Sequence, residues 1–170
     1  MADETLHVLR YLGNRVADAA QGAGIPRARV HLYGPPQGET SPDGQPFVVL
    51  SLQAGGASEN AVNGRSVSSP VVLVKVVSGG DTFSVGTPLG GTRPMAVSAV
   101  LDRIQEALEH HRATISLPGG ESCAVTVKAG APVLYAENPA TSGGARYLHQ
   151  GRQWRVLIQP DQRDYGTTGD

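Results

Sequence analysis

Pro70-Val71-Val72-Leu73-Val74-Lys75-Val76-Val77 is the stretch on which the fold turns. Its β-branched residues fall on both faces, which predicts a central strand covered on both sides. Lys75 is the one charge in it, and an ammonium in such a place either snorkels or finds a partner. A glycine-rich break follows (Gly79, Gly80, Gly86, Gly90, Gly91). Next comes an amphipathic helix over Pro94–His111, with Val97, Val100, Leu101, Ile104 and Leu108 on one face and Asp102, Glu106 and Glu109 off it. Pro94 suits the first turn of that helix.

On the N-terminal side, Leu6, Leu9, Leu12, Val16 and Ala20 recur at helical spacing, so Glu4–Ala20 reads as a helix with Asp3 as its N-cap. Gly22, Gly24 and Pro26 end it. Val30 and Leu32 form a short strand that ends at Tyr33, and Phe47–Gln53 is a second strand. Gly34–Pro46 and Ala54–Ser69 are rich in Gly, Pro, Ser and Asn and read as long projecting loops, mobile in a free subunit and ordered on docking. On the C-terminal side, Thr114–Leu117 is a short strand and Pro118-Gly119-Gly120 a turn. Cys123–Val127 and Pro132–Ala136 are strands around a break at Ala129-Gly130. Asn138–Ala145 is a small-residue loop. Tyr147, His149, Trp154, Val156 and Ile158 belong to a final hairpin with Gly151 in its turn, so Gln153–Gln159 would be an edge strand. Tyr147 and Trp154 read as a cross-strand packing pair. The expected fold is α+β: a mainly antiparallel sheet with two helices packed on one face and long projecting loops. One domain covers residues 1–160, followed by a polar, disordered tail over 161–170.

Composition narrows the function classes. The chain has 170 residues, net charge −1, 5% aromatic residues, 22 glycines and 12 prolines. A protein that grips nucleic acid by its backbone carries an excess of Lys and Arg, which is absent here. Cys123 is the only cysteine, so no disulfide forms within the chain and no cysteine-rich zinc site exists; it reads as a buried apolar residue. No basic-then-apolar leader opens the sequence, and no apolar run approaches the roughly 18 residues that span a bilayer. The chain is expected to be an intracellular product that does not enter a membrane.

A search for chemistry yields little. His110 and His111 are adjacent, so on a helix they diverge and do not chelate one ion; they read as a solvated helix end. Gly86 to Thr92 precedes a helix but lacks the Lys and hydroxyl of a phosphate loop. No Gly-x-Ser-x-Gly elbow is present. Neither a catalytic residue nor a cofactor or metal site is expected.

The ordered features resemble a family. They are the N-terminal helix, Tyr33-Gly34 with its Pro-rich loop, Pro46-Phe47-Val48-Val49-Leu50, the strand Val71–Val77, and the helix with Asp102-Arg103-Ile104. They continue with Tyr135-Ala136-Glu137, Arg146-Tyr147-Leu148-His149 and Trp154-Arg155-Val156-Leu157-Ile158. From about Leu6 to Gln159 the chain resembles the tail terminator (tail completion) proteins of long-tailed bacteriophages. The resemblance implies a structural virion protein: a homohexameric ring in the neck that caps the major tail tube protein and offers its other face to the head connector. DNA would pass through the lumen without specific binding, so no dense basic lining is expected. Arg65, Asp81 and Arg93 in loops, and Asp102 and Arg103 on the helix, are the expected subunit or tail contacts. A head-completion protein of the same neck, a small enzyme and a ligand-binding domain are the other readings.

Overall fold

The computed structural model describes residues 2–33, 45–54, 58–60, 66–137 and 147–160. Two helices, α1 (Ala2–Gly22) and α2 (Val97–Leu108), accompany ten strands. These are β1 (Val30–Leu32), β2 (Phe47–Ala54), β3 (Ser58–Asn60), β4 (Ser66–Ser68) and β5 (Val71–Ser78). The remaining five are β6 (Thr82–Gly86), β7 (Thr92–Ala96), β8 (Arg112–Ser116), β9 (Ser122–Glu137) and β10 (Tyr147–Pro160). Residues 34–44 of the expected loop Gly34–Pro46, residues 55–57 and 61–65 of the expected loop Ala54–Ser69, the loop over 138–145 and the tail over 161–170 lie outside the described residues.

The fold is α+β, with the sheet dominant. Eight strands form one sheet whose main order is β1, β2, β5, β10, β9, β8, and β6 and β7 form a separate two-stranded sheet. β4 pairs β10 beyond the end of β5, and β3 pairs β4. All pairings are antiparallel except β1 on β2. The stripe Val8, Leu9, Leu12, Val16 and Ala20 of α1 and the stripe Val97, Val100, Ile104 and Leu108 of α2 are buried together in one core. That core also takes Val48 and Leu50 from β2, Val72, Val74 and Val76 from β5, Val125 and Val127 from β9, and Trp154, Val156 and Ile158 from β10. Two apolar stripes on one sheet face are what the spacing of these residues requires.

The chain ends α1 in a six-to-one turn. Gly24 takes a left-handed φ of 91°. The Ile25 N–H donates to the Ala20 carbonyl at 2.9 Å and the Gly24 N–H to that of Gln21 at 3.0 Å, while Ile25 packs inward. At its other end α1 begins at Ala2, so Asp3 lies within the first turn rather than before it as a cap.

Several expectations are corrected. α2 starts at Val97, and Pro94 stands in β7 opposite Ser84. A two-stranded ribbon has only edges, so the missing N–H of Pro94 costs no ladder bond there. The glycine-rich stretch after β5 is therefore a hairpin and not a loose connection. Its turn is set by Gly90 and Gly91 at φ 83° and 84° and by the Thr87 hydroxyl donating to the Gly90 carbonyl at 2.7 Å. Residues 54–69 contain β3 and β4, so that segment is not wholly loop.

The break at Ala129-Gly130 is a β-bulge inside one continuous strand. Arg152 pairs Pro132 and Trp154 pairs Ala129, so β9 carries one residue more than β10 over that step. β10 is not an edge strand: β5 and β4 flank it on one side and β9 on the other. Gly151 makes no turn and lies mid-strand opposite Lys75 and Val133. A Cβ at Gly151 would come within 2.6 Å of the Lys75 Cα and closer still to the Val74 carbonyl oxygen. Only glycine lets β10 approach β5 so nearly.

Two outcomes follow for stability. Ile104→Ala, which removes a core side chain, should lower unfolding free energy by about 2–5 kcal/mol in urea titration, and no change would contradict its place in the core. Gly151→Ala should cost about 1–3 kcal/mol by overpacking. Gly79→Ala, with nothing within 4 Å of the added carbon, is the control and should stay near the parent protein. Equal stability of the two alanine variants would contradict the close approach of β10 and β5.

Candidate functional site

Alternation along the central strands puts a second set of side chains on the sheet face opposite the helices. Row by row, the register aligns Phe47, Val77, His149 and Tyr135, and next to them Val49, Lys75, Gly151 and Val133. Ser51, Leu73 and Gln153 make the third row. The sheet curls around these rows and leaves a groove of about 670 Å³, to which Tyr33, Glu137 and Tyr147 add walls. Both faces of β5 are thus covered, as its composition predicts. On the groove face Leu73 and Val77 are buried and Lys75 is half-buried.

The polar groups of the groove are linked through Tyr135. Gly151 offers no side chain, so the Lys75 ammonium reaches across it and donates to the Tyr135 hydroxyl at 2.8 Å, with the ring centroid 5.3 Å away. The Tyr135 ring stacks on the His149 ring at 4.3 Å between centroids and 9° between planes. His149 Nε2 is hydrogen-bonded to Glu137 Oε2 at 3.0 Å. His149 is buried, and its Nδ1 has no hydrogen-bond partner among the described residues; the same holds for Trp154 Nε1 in the core. The groove can therefore hold aromatic or apolar groups and present one ammonium and one carboxylate to them. It does not assemble a Ser–His pair. Ser51 stands two strands from His149, and its row lies four residues, about 13 Å, along β10 at roughly 3.3 Å per residue. Among the described residues no group of three or more His, Cys, Asp and Glu is arranged to hold a metal ion.

The expected contact residues are scattered. Arg65 lies outside the described residues. Asp81 bridges elements: its carbonyl accepts from the Val97 N–H at 2.8 Å at the start of α2, and its carboxylate accepts from Gln150 Nε2 at 3.3 Å. Arg93 is exposed on strand β7, not in a loop. Asp102 and Arg103 are exposed on the outer face of α2, and the Arg103 guanidinium lies over Gly22. Among the described residues, Asp81, Arg93, Asp102 and Arg103 are not gathered into one site and do not line the groove.

Tyr147 and Trp154 are also separated. They belong to one strand and face opposite sides, Tyr147 toward the groove and Trp154 into the core. The groove residues Phe47, Tyr135 and Glu137 escape a reading by motif because their only signal is period-two alternation on β2 and β9. That alternation gains meaning once the partners of β10 are known.

Two single residues complete the chemistry. Burial, with a smaller push from Glu4, raises the Cys123 thiol above its ordinary range, which suits an inert core cysteine. His110 is exposed with φ 57° in the turn after α2, whereas His111 is not a solvated helix end. His111 is half-buried, its Nε2 hydrogen-bonded to the Tyr11 hydroxyl at 2.9 Å and its ring stacked on that ring. Beside it Arg15 donates to the Ala107 carbonyl at 2.9 Å, which ties α1 to the last turn of α2. Compared with known proteins, the chain matches no family model and no curated protein.

Burial, and then Arg15, hold His111 below its ordinary value of 6.5. Its neutral form is favoured in the folded chain, so the unfolded chain takes up the proton first as pH falls. Stability should decline on acidification from about pH 6.5. Urea titrations of the parent and of His111→Gln between neutral pH and the acid side test this. The variant should show the smaller decline, and identical declines would contradict the assignment.

Proposed function

We propose that this chain is the subunit of a tail terminator ring, which caps a phage tail tube and meets the head connector. The observation that carries the reading is the placement of its exposed large apolar side chains. Among the described residues these are Tyr33, Leu89, Leu134 and Tyr135. Leu89 is 99% exposed at the turn between β6 and β7, and Leu134 is 71% exposed on the outer half of β9. Tyr33, which follows β1, and Tyr135 both stand at the groove on the other face of the sheet. Exposed apolar groups at three separate places suit a subunit that touches two ring neighbours and an axial partner at once. One large patch would suit a single partner instead.

Charge agrees with the reading. A ring through which DNA slides needs no cluster of phosphate-binding cations, and the chain's net charge is −1. The groove carries a single ammonium beside a carboxylate. Asp102 and Arg103 on α2, Arg93 on the β6–β7 hairpin, and Arg65 and Asp81 remain the proposed contribution to subunit or tail contacts.

Imaging of purified virions, with the protein located by label, is the test. The protein should lie in the neck with sixfold order between tube and connector. Absence from the neck would overturn the reading, and so would a position on the capsid side of the connector joint, which would make it a head-completion protein.

A further inference from the structure

Among the described residues, the outer edge of β9 is unpaired over most of its length. β8 covers Ser122–Thr126, and the Val127 N–H donates to the His111 carbonyl at 2.9 Å. From Lys128 to Glu137 no strand among the described residues pairs that edge. Among the described residues, β1 bounds the sheet at its other end. An unpaired edge that carries apolar side chains is a template for another strand.

The two ends are complementary. Leu134 pairs Gln150, which pairs Val76, so Leu134 stands on the helix side of the sheet. On that same side, the end of the sheet at β1 has a cavity of about 330 Å³ between the strand and α1. Gly13, Ala17, Val30 and Leu32 line its floor, and Arg10, Asn14 and Arg27 stand at its rim, the last hydrogen-bonded to Asn14 and paired with Asp18. Across the sheet, β1 and β2 run one way, β5 the other, β10 with β1, and β9 against it. If copies repeat with the same polarity, the β9 of one copy therefore meets the β1 of the next antiparallel. Antiparallel register also carries Glu137, three residues beyond Leu134, toward the arginines of the turn Arg27–Arg29 before β1.

We propose that a second copy of this chain docks here. The outer half of β9 pairs antiparallel with β1 of its neighbour, and Leu134 fills the neighbour's cavity between α1 and β1. The contact uses different surfaces on the two copies, so it repeats head to tail, as a closed ring demands. It deepens the ring reading above and rests on that reading for its same-polarity repeat. A twofold pairing of β9 with β9 would leave the cavity empty and would end at a dimer.

Cysteine cross-linking of the full chain tests the contact. Leu134→Cys and Asn14→Cys sit at exposed positions, and the native Cys123 is buried. Oxidising a mixture of the two variants should yield a disulfide-linked pair that neither variant yields alone, and the double variant should give a ladder of linked copies. Leu134→Asp should reduce the oligomer to the 17.7 kDa monomer with an unchanged circular dichroism spectrum. Cross-linking of Leu134→Cys with itself would overturn the proposal, as would no cross-link in the mixture, a parent protein monomeric at every concentration, or an oligomer untouched by Leu134→Asp. The two claims fail separately. Cross-linked copies of a protein absent from the virion neck keep this contact and remove the terminator reading. A neck ring without the cross-link does the reverse.

Discussion

The close approach of β10 to β5 at Gly151 is the constraint on which the rest of this molecule depends. β10, like β5, is flanked along most of its length on both edges, and each of its residues is committed to a face by the period of the strand. Trp154, Val156 and Ile158 close the core beneath the helices, while Tyr147, His149 and Gln153 face the groove. A side chain at position 151 would push β10 away from β5, and with it the row of Val72, Val74 and Val76 that the helices cover. The same gap above Gly151 lets Lys75 reach Tyr135. One missing side chain thus serves both the packing on one face and the polar link on the other.

Legibility in the sequence followed locality. The stripes of α1 and α2 and the double-sided run of β5 are local patterns, and they identify these elements, their faces and the α+β class. The sheet order is not local. Nothing in residues 147–160 by themselves says that β5 lies on one side and β9 on the other, so Gly151 reads as a turn and Gln153–Gln159 as an edge. Both readings fail for one reason: a glycine at a close backbone approach and a glycine in a turn look alike until the neighbour is known. Pro94 misleads in a similar way, because proline is at home both at a helix start and in a ribbon with only edges. The break at Ala129-Gly130 is a real signal with a different meaning, a bulge that re-aims the outer half of β9.

The candidate site was less legible than the fold. Charged residues outside the apolar stripes are natural contact candidates, and one of them, Asp81, also holds the start of α2 and the side of Gln150. Lys75, visible as the only charge in its strand, does find a partner, but that partner is Tyr135, sixty residues away. The groove, the dent beside β1 and the free half of β9 arise from the curl and the register of the sheet. Motifs written in consecutive residues do not encode them. A chain that exposes different apolar groups at separate places, and different strand edges at its two ends, is physically suited to work as one member of a repeating assembly.

Amide hydrogen exchange, compared between the dilute protein and the proposed assembly, tests the central claim most directly. Residues 30–32 and the outer half of β9, residues 128–137, should gain protection together, while β10 and the outer edge at β8 keep the protection they already have. Protection gained by β9 without β1 would mean that the copies meet about a twofold axis, and no gain at either edge would mean that these strands do not join the subunits at all.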